Sequence, residues 1–151
     1  MKKQITLESI CALIIILFLY ASISKYIAFK TFESDMHKQP FPLWISGSLI
    51  VFLPPIEIFI AVSLAFNKTR LIGLYASFVL MLLFTTYTAA ILLNFFPHRP
   101  CGCGGVIRSL TWRLHLTLNT FFTLLSLSGI YLQRKQKTDT TTSIPTSYKA
   151  A

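Results

Sequence analysis

The sequence predicts an all-α integral membrane protein: a four-helix bundle, antiparallel and up-down, with both termini cytoplasmic. Three observations carry that prediction. Of the 151 residues, 54% are hydrophobic and only 13% charged, where a soluble domain carries about 25% charged residues. The apolar residues gather into four runs, each near the ~20 residues that cross a bilayer core. None of the runs shows the period-two alternation of a barrel strand, and helices satisfy their own backbone hydrogen bonds in lipid.

The first run, Leu7 to Phe29, follows Lys2 and Lys3. It exceeds the roughly 7–15 residues of a signal-peptide core, so it reads as a retained helix. Cys11 has the apolar run after it rather than before it, which excludes a lipoprotein leader. The second and third runs are Leu43 to Phe66 and Leu71 to Phe96. Only Asn67-Lys68-Thr69-Arg70 separates them, which forces an antiparallel hairpin. The fourth run is Trp112 to Leu132. Residues 1–132 thus read as one transmembrane domain. Residues 133–151, which open on Gln-Arg-Lys-Gln-Lys and become rich in Thr and Ser, read as a disordered cytoplasmic tail. The connectors Lys30 to Pro42 and Pro97 to Thr111 are long enough to hold function.

The formal charge of +9 sits in connectors and tails rather than in a stripe on one element. That placement marks topology determinants beside lipid headgroups, not a nucleic-acid surface. With the N-terminus inside, Lys2, Lys3, Lys68, Arg70, Arg134, Lys135, Lys137 and Lys149 fall on the inner side. Lys25, Lys30, Lys38, Arg99, Arg108 and Arg113 fall on the outer side. The inner majority places the Pro97 to Thr111 loop on the periplasmic or outer side of a bacterial inner membrane, where disulfides persist.

The segment His98-Arg99-Pro100-Cys101-Gly102-Cys103-Gly104-Gly105 is the sharpest chemical feature. Gly104, Gly105 and the glycine between the cysteines free the backbone and leave the sulfurs accessible. His98, Arg99 and Arg108 favour the reactive thiolate. A disulfide between residues two apart closes a very small ring, which suits exchange better than stapling. Two other readings stay open: an incidental loop with inert thiols, and a site for Cu(I) or zinc formed by Cys101, Cys103, His98 and His115. Cys11, near the inner end of the first helix, reads as a small buried apolar residue.

Lys25 and Glu57 interrupt the apolar runs, and a charge in a span faces a partner or a cavity. On antiparallel helices Lys25 leans inward and Glu57 outward, which would let them pair. The alternative has Lys25 snorkelling and Glu57 protonated. Pro54-Pro55 should kink the second helix and free carbonyls. Trp112, His115 and Asn119 share one helix face near the cysteine loop. There His115 would orient or deprotonate a thiol, or serve as a hydrogen-bonded interface residue.

These features, in order and spacing, resemble the MauE/DoxX family of redox-associated membrane proteins over roughly Ile5 to Leu132. The pieces are Ser24-Lys25, Pro55-Ile56-Glu57, Gly73-Leu74-Tyr75, the Cys101-Gly102-Cys103-Gly104-Gly105 loop, and Trp112 followed by Asn119. The resemblance implies assistance to disulfide formation or maturation of an exported protein, beside a thioredoxin-like or periplasmic partner. Gly104 stands where the methylamine-utilisation branch tends to carry an aromatic residue, and His115 where an Arg-Asn pair is usual, so a general redox role is what carries over. Cys101, Cys103 and His115 would act in exchange, with a membrane quinone as the natural electron sink. The other reading is a non-enzymatic assembly factor or subunit that uses the Cys-Gly-Cys loop structurally or for metal.

Overall fold

A computed structural model describes residues 2–40, 42–95 and 112–142. These form five helices: α1 (Lys2–Ile27), α2 (Phe29–His37), α3 (Leu43–Ala65), α4 (Arg70–Leu92) and α5 (Trp112–Thr142). The protein is all-α, with no strand among the described residues. Among the described residues, three stretches are long and apolar enough to cross a membrane: Gln4–Ile27, Leu43–Ala65 and Arg70–Leu92.

Each departure from the expected boundaries has a local cause. The first helix begins before Leu7 because its polar start also favours helix; Gln4 Nε2 donates to Glu8 Oε1 at 3.0 Å, one turn on. It stops at Ile27 and the chain turns at Ala28 into α2, in what reads as a polar connector. The connector is helical because Phe32 and Met36, four residues apart, share a face that packs on Ile50 and Leu53 of α3. Lys30, Glu33 and Ser34 stay exposed.

Pro54 and Pro55 lie inside α3. Proline removes backbone donors from the helix ladder, here those that would reach the Ile50 and Val51 carbonyls; separately, the Ser22 hydroxyl of α1 donates to the Pro54 carbonyl at 3.1 Å. The third apolar run is helical only to Leu92, short of the expected Phe96. Asn94 adopts a left-handed φ of 57°. The Asn94 N–H donates to Ile91 O and the Phe95 N–H to Ala90 O, both at 3.1 Å. This is a Schellman stop with asparagine in the position usually held by glycine. At the other end of the chain, α5 runs past Leu132 to Thr142, where a disordered tail was expected. Gln, Arg and Lys are strong helix formers, and extending a formed helix avoids the cost of nucleation.

In the packing, α1 lies beside α3 and α5, and α4 also lies beside α3 and α5; α2 rests on α3 and α1. One apolar cluster joins Leu7, Cys11 and Ile14 of α1 with Ile60 and Leu64 of α3, Leu74 of α4 and Ile130 of α5. The N-terminal half of α1 therefore meets the C-terminal half of α3, and the two run antiparallel. The second cluster, at the other end, is the one built around α2.

Beside the apolar clusters, the interior holds many small hydroxyl residues, and the surface many large apolar ones. Ser22, Ser46, Ser63, Ser77, Thr88, Thr123 and Ser126 are buried, while Ile16, Phe52, Phe59, Leu83 and Leu124 are exposed. Small hydroxyl residues inside and large apolar ones outside is the arrangement of helices packed in lipid. It also accounts for the polar residues of α5, which meet α4 in rungs. Ser77 and Ser126 hydroxyls lie 2.8 Å apart, Thr85 and Thr123 hydroxyls 3.1 Å apart, and Asn119 Nδ2 donates to Thr88 Oγ1 at 3.3 Å.

The α3–α4 hairpin closes tightly at Gly73. A Cβ there would stand 2.9 Å from Leu64 Cγ and 3.0 Å from the Leu64 backbone nitrogen. Backbone cannot swing aside, so Gly73→Ala is expected to destabilise the protein by about 1–3 kcal/mol, the usual range for overpacking. Gly47→Ala, whose Cβ would meet nothing within 4 Å, is expected to be neutral or stabilising by up to ~1 kcal/mol through helix propensity. Equilibrium unfolding in mixed micelles, followed by circular dichroism, separates the two.

Candidate functional site

A cavity of about 500 Å³ opens between the helices at the α2 end, within the roughly 300–1,000 Å³ of small-molecule sites. All five helices line it. Leu17, Phe18 and Leu53 belong to its apolar wall, with Leu80, Met81 and Phe84 from α4 and Phe122 from α5. Its polar lining consists of Lys25, Gln39, Glu57, Thr86, Tyr87, Thr88, His115 and Asn119.

Lys25 and Glu57 meet here. Lys25 Nζ lies 2.6 Å from Glu57 Oε1, and both side chains are almost wholly buried. The snorkelling alternative is therefore not the observed arrangement. Lys25 Nζ also approaches the Ala21 carbonyl at 3.5 Å and sits 5.8 Å from the centroid of the Phe32 ring. That places the cation between α1, α2 and α3, with the ring face supplying a further electrostatic contact. The other carboxylate oxygen, Glu57 Oε2, is buried without a hydrogen-bond partner among the described residues.

A second polar contact ties α2 to α4. The Tyr87 hydroxyl donates to Gln39 Oε1, while Gln39 Nε2 donates to the Asp35 carbonyl at 3.0 Å. From α5, half-buried His115 and Asn119 line the same space, and Asn119 is held by Thr88. Of the residues singled out from sequence, Lys25, Glu57, His115 and Asn119 thus border one cavity. Gln39, Tyr87 and Thr88 had not been singled out. For Tyr87 and Thr88 the signal was the Thr85-Thr86-Tyr87-Thr88 block, four hydroxyl side chains in succession within an apolar run; Gln39 carried none.

Cys101, Cys103, His98, Arg99, Gly104, Gly105 and Arg108 lie outside the described residues. The described residues on either side of them are Phe95 and Trp112. Both points belong to the α2 end, since Tyr87 near the end of α4 reaches Gln39 and His115 near the start of α5 lines the cavity. Among the described residues no group of three His, Cys, Asp or Glu side chains is placed to hold a metal ion. Cys11 is a free, buried thiol in the cluster at the opposite end.

The ion pair lends itself to a double-variant test. Removing one partner leaves an uncompensated buried charge and costs about 3–5 kcal/mol, whereas replacing both by apolar residues is often near neutral. Lys25→Met alone is therefore expected to destabilise the protein by about 3 kcal/mol or more. Lys25→Met with Glu57→Met is expected to recover most of that loss, read by the same micellar unfolding titration.

Comparison with known proteins adds one finding. The family model of methylamine utilisation protein MauE matches residues 3–132. No curated protein and no solved structure gave a match. The matched span covers every residue that lines the cavity. The exposed apolar surface and the three apolar spans among the described residues make this a membrane protein, and the match over most of its length makes it a member of the methylamine utilisation protein MauE family.

Proposed function

We propose that the protein is a thiol–disulfide redox component of a bacterial inner membrane, assisting disulfide formation or maturation of an exported partner. The observation that carries this reading is the Cys101-Gly102-Cys103-Gly104-Gly105 sequence, which lies between α4 and α5 in the chain. In the proposed topology α1, α3, α4 and α5 form a four-helix bundle with both termini cytoplasmic. The hydroxyl rungs along α4 support counting α5 as the fourth span despite its polar residues, because those side chains bond to a neighbouring helix rather than face lipid. The cysteine segment then lies on the periplasmic side, where a thioredoxin-like or other exported protein can reach it.

A thiolate of the partner attacks a Cys101–Cys103 disulfide to give a mixed disulfide, and the partner's second thiol displaces it. The partner gains a disulfide, and Cys101 and Cys103 become thiols. Returning them to the disulfide releases two electrons and two protons, which a membrane quinone accepts to become a quinol. His98, Arg99 and Arg108 favour the thiolate, and His115, near the start of α5, would orient or deprotonate a thiol. Membership of the MauE family supports a setting in methylamine utilisation.

The test is the redox state of the two cysteines in intact cells. A membrane-impermeant maleimide is expected to label Cys101 and Cys103 only after mild reduction, and Cys101→Ser or Cys103→Ser is expected to abolish maturation of the partner. Thiols that label freely and ignore oxidant would transfer the protein to the assembly-factor or metal-binding reading. Labelling that needs opened cells would invert the topology.

A further inference from the structure

We infer that the cavity is a binding site for the head of an isoprenoid quinone and its quinol, held at the Lys25–Glu57 pair with its tail leaving between α3 and α4. This rests on the redox reading for its biological purpose, but the binding argument uses only described residues.

The pair itself defines the head group. Lys25 carries three N–H donors; one is engaged at 2.6 Å by Glu57 Oε1 and a second points to Ala21 O at the long distance of 3.5 Å. Glu57 Oε2 is a buried acceptor with no hydrogen-bond partner among the described residues, on a residue only 1% exposed. A buried oxygen left without a donor costs free energy, and here it belongs to a residue that lines the cavity. The pair therefore offers both a donor and an acceptor, with no net charge. A phosphate or carboxylate head would meet Glu57 as a like charge, and an ammonium head would meet Lys25. A neutral ring bearing oxygen substituents meets neither. In its oxidised form such a ring presents carbonyl oxygens, which accept from Lys25. In its reduced form it presents hydroxyls, which donate to the Glu57 carboxylate once a rotation turns Oε2 towards the cavity. One pair thus serves both forms.

The surroundings fit the rest of the molecule. Apart from its polar lining, the cavity wall is built of Leu, Met, Phe and Ala side chains. It reaches the outer surface at Leu83 and Thr86, which line it and are exposed. On that surface a second, shallower groove of about 510 Å³ runs over α3 and α4, lined by apolar residues, Tyr75 among them, and sharing Leu80 and Leu83 with the cavity. A polar pocket that continues into an apolar groove facing lipid matches a molecule with a polar head and a long hydrocarbon tail. Ligand entry from the bilayer also needs no opening to water.

The experiment uses the full-length protein in phospholipid nanodiscs and a photoreactive benzoquinone carrying a short isoprenoid tail. Cross-linked peptides are identified by mass spectrometry and counted against competitors. Labelling is expected on the α3 and α4 segments that line the cavity. It should be displaced by unlabelled quinone or quinol, and not by added phospholipid or fatty acid. Thr86→Trp, at the exposed mouth and away from the ion pair, is expected to weaken labelling at least tenfold. So is the paired Lys25→Met/Glu57→Met variant, with the helical circular dichroism of both retained. Labelling that phospholipid displaces equally well, or that neither variant alters, would overturn the proposal.

A Cys101→Ser/Cys103→Ser protein separates the two readings. Undiminished quinone labelling there, beside cysteines that never cycle in cells, would leave the site standing and remove the redox role. Cysteines that cycle in a protein without saturable quinone labelling would remove the site alone.

Discussion

The contact between Lys25 and Glu57 decides how the rest of this protein is arranged. Taking two ions out of water costs several kcal/mol each, and only close pairing with further hydrogen bonding recovers it. In a hydrocarbon setting snorkelling is the cheaper course for a lysine near a helix end. The observed 2.6 Å contact therefore fixes the approach of α1 to α3 rather than merely decorating it. The two residues lie 32 apart, and the Ser22 hydroxyl on the Pro54 carbonyl, about one helical turn away on each helix, adds a second polar contact between α1 and α3. With that face of α1 committed to α3, α2 packs at the end against α3 and α1, and the space between them becomes the cavity.

Polar groups play a second part on the other side of the molecule. Helices in lipid gain little from burying leucine against leucine, so close backbone approach and interhelical hydrogen bonds take a larger share of the work. The α4–α5 contact follows that logic through serine, threonine and asparagine rungs. The α3–α4 contact follows it through Gly73, whose missing side chain lets Leu64 approach. A hydropathy average cannot distinguish a polar residue that faces water from one that bonds to the next helix. For that reason α5 ranks below the other three long helices as an apolar span, while packing against α4 through its polar side chains.

Much of this was legible from the residues alone, for reasons that differ by element. The apolar runs declared the long helices because length and composition set that signal. Lys25 and Glu57 were conspicuous as charges in those runs, and the opposed lean of side chains on antiparallel helices was enough to bring them within reach. Helix ends were harder. Asn94, followed by Pro97, is a stop signal that the surrounding Leu and Phe residues obscured. The α2 segment was hidden because only Phe32 and Met36 carry its buried face, and two residues make no visible period. Gln39 and Tyr87 could not be paired from sequence, since nothing local relates positions 48 apart. The cysteine motif is the converse case, plain in the sequence and outside the residues that the structure describes.

The separation of Lys25 from Glu57 along the chain also has a meaning for biogenesis. Synthesis proceeds at about 5–20 residues per second, so the 32 residues between them correspond to roughly 2–6 s during which the lysine has been made and its counter-ion has not. Through that interval α1 has to be tolerated with an unmatched cation near its end, a position from which a lysine still reaches the headgroups. The arrival of α3 then withdraws the charge from the interface. The ion pair is in this sense a latch that closes late, and the interval before it closes is when an insertase or quality-control protease would find the chain most open.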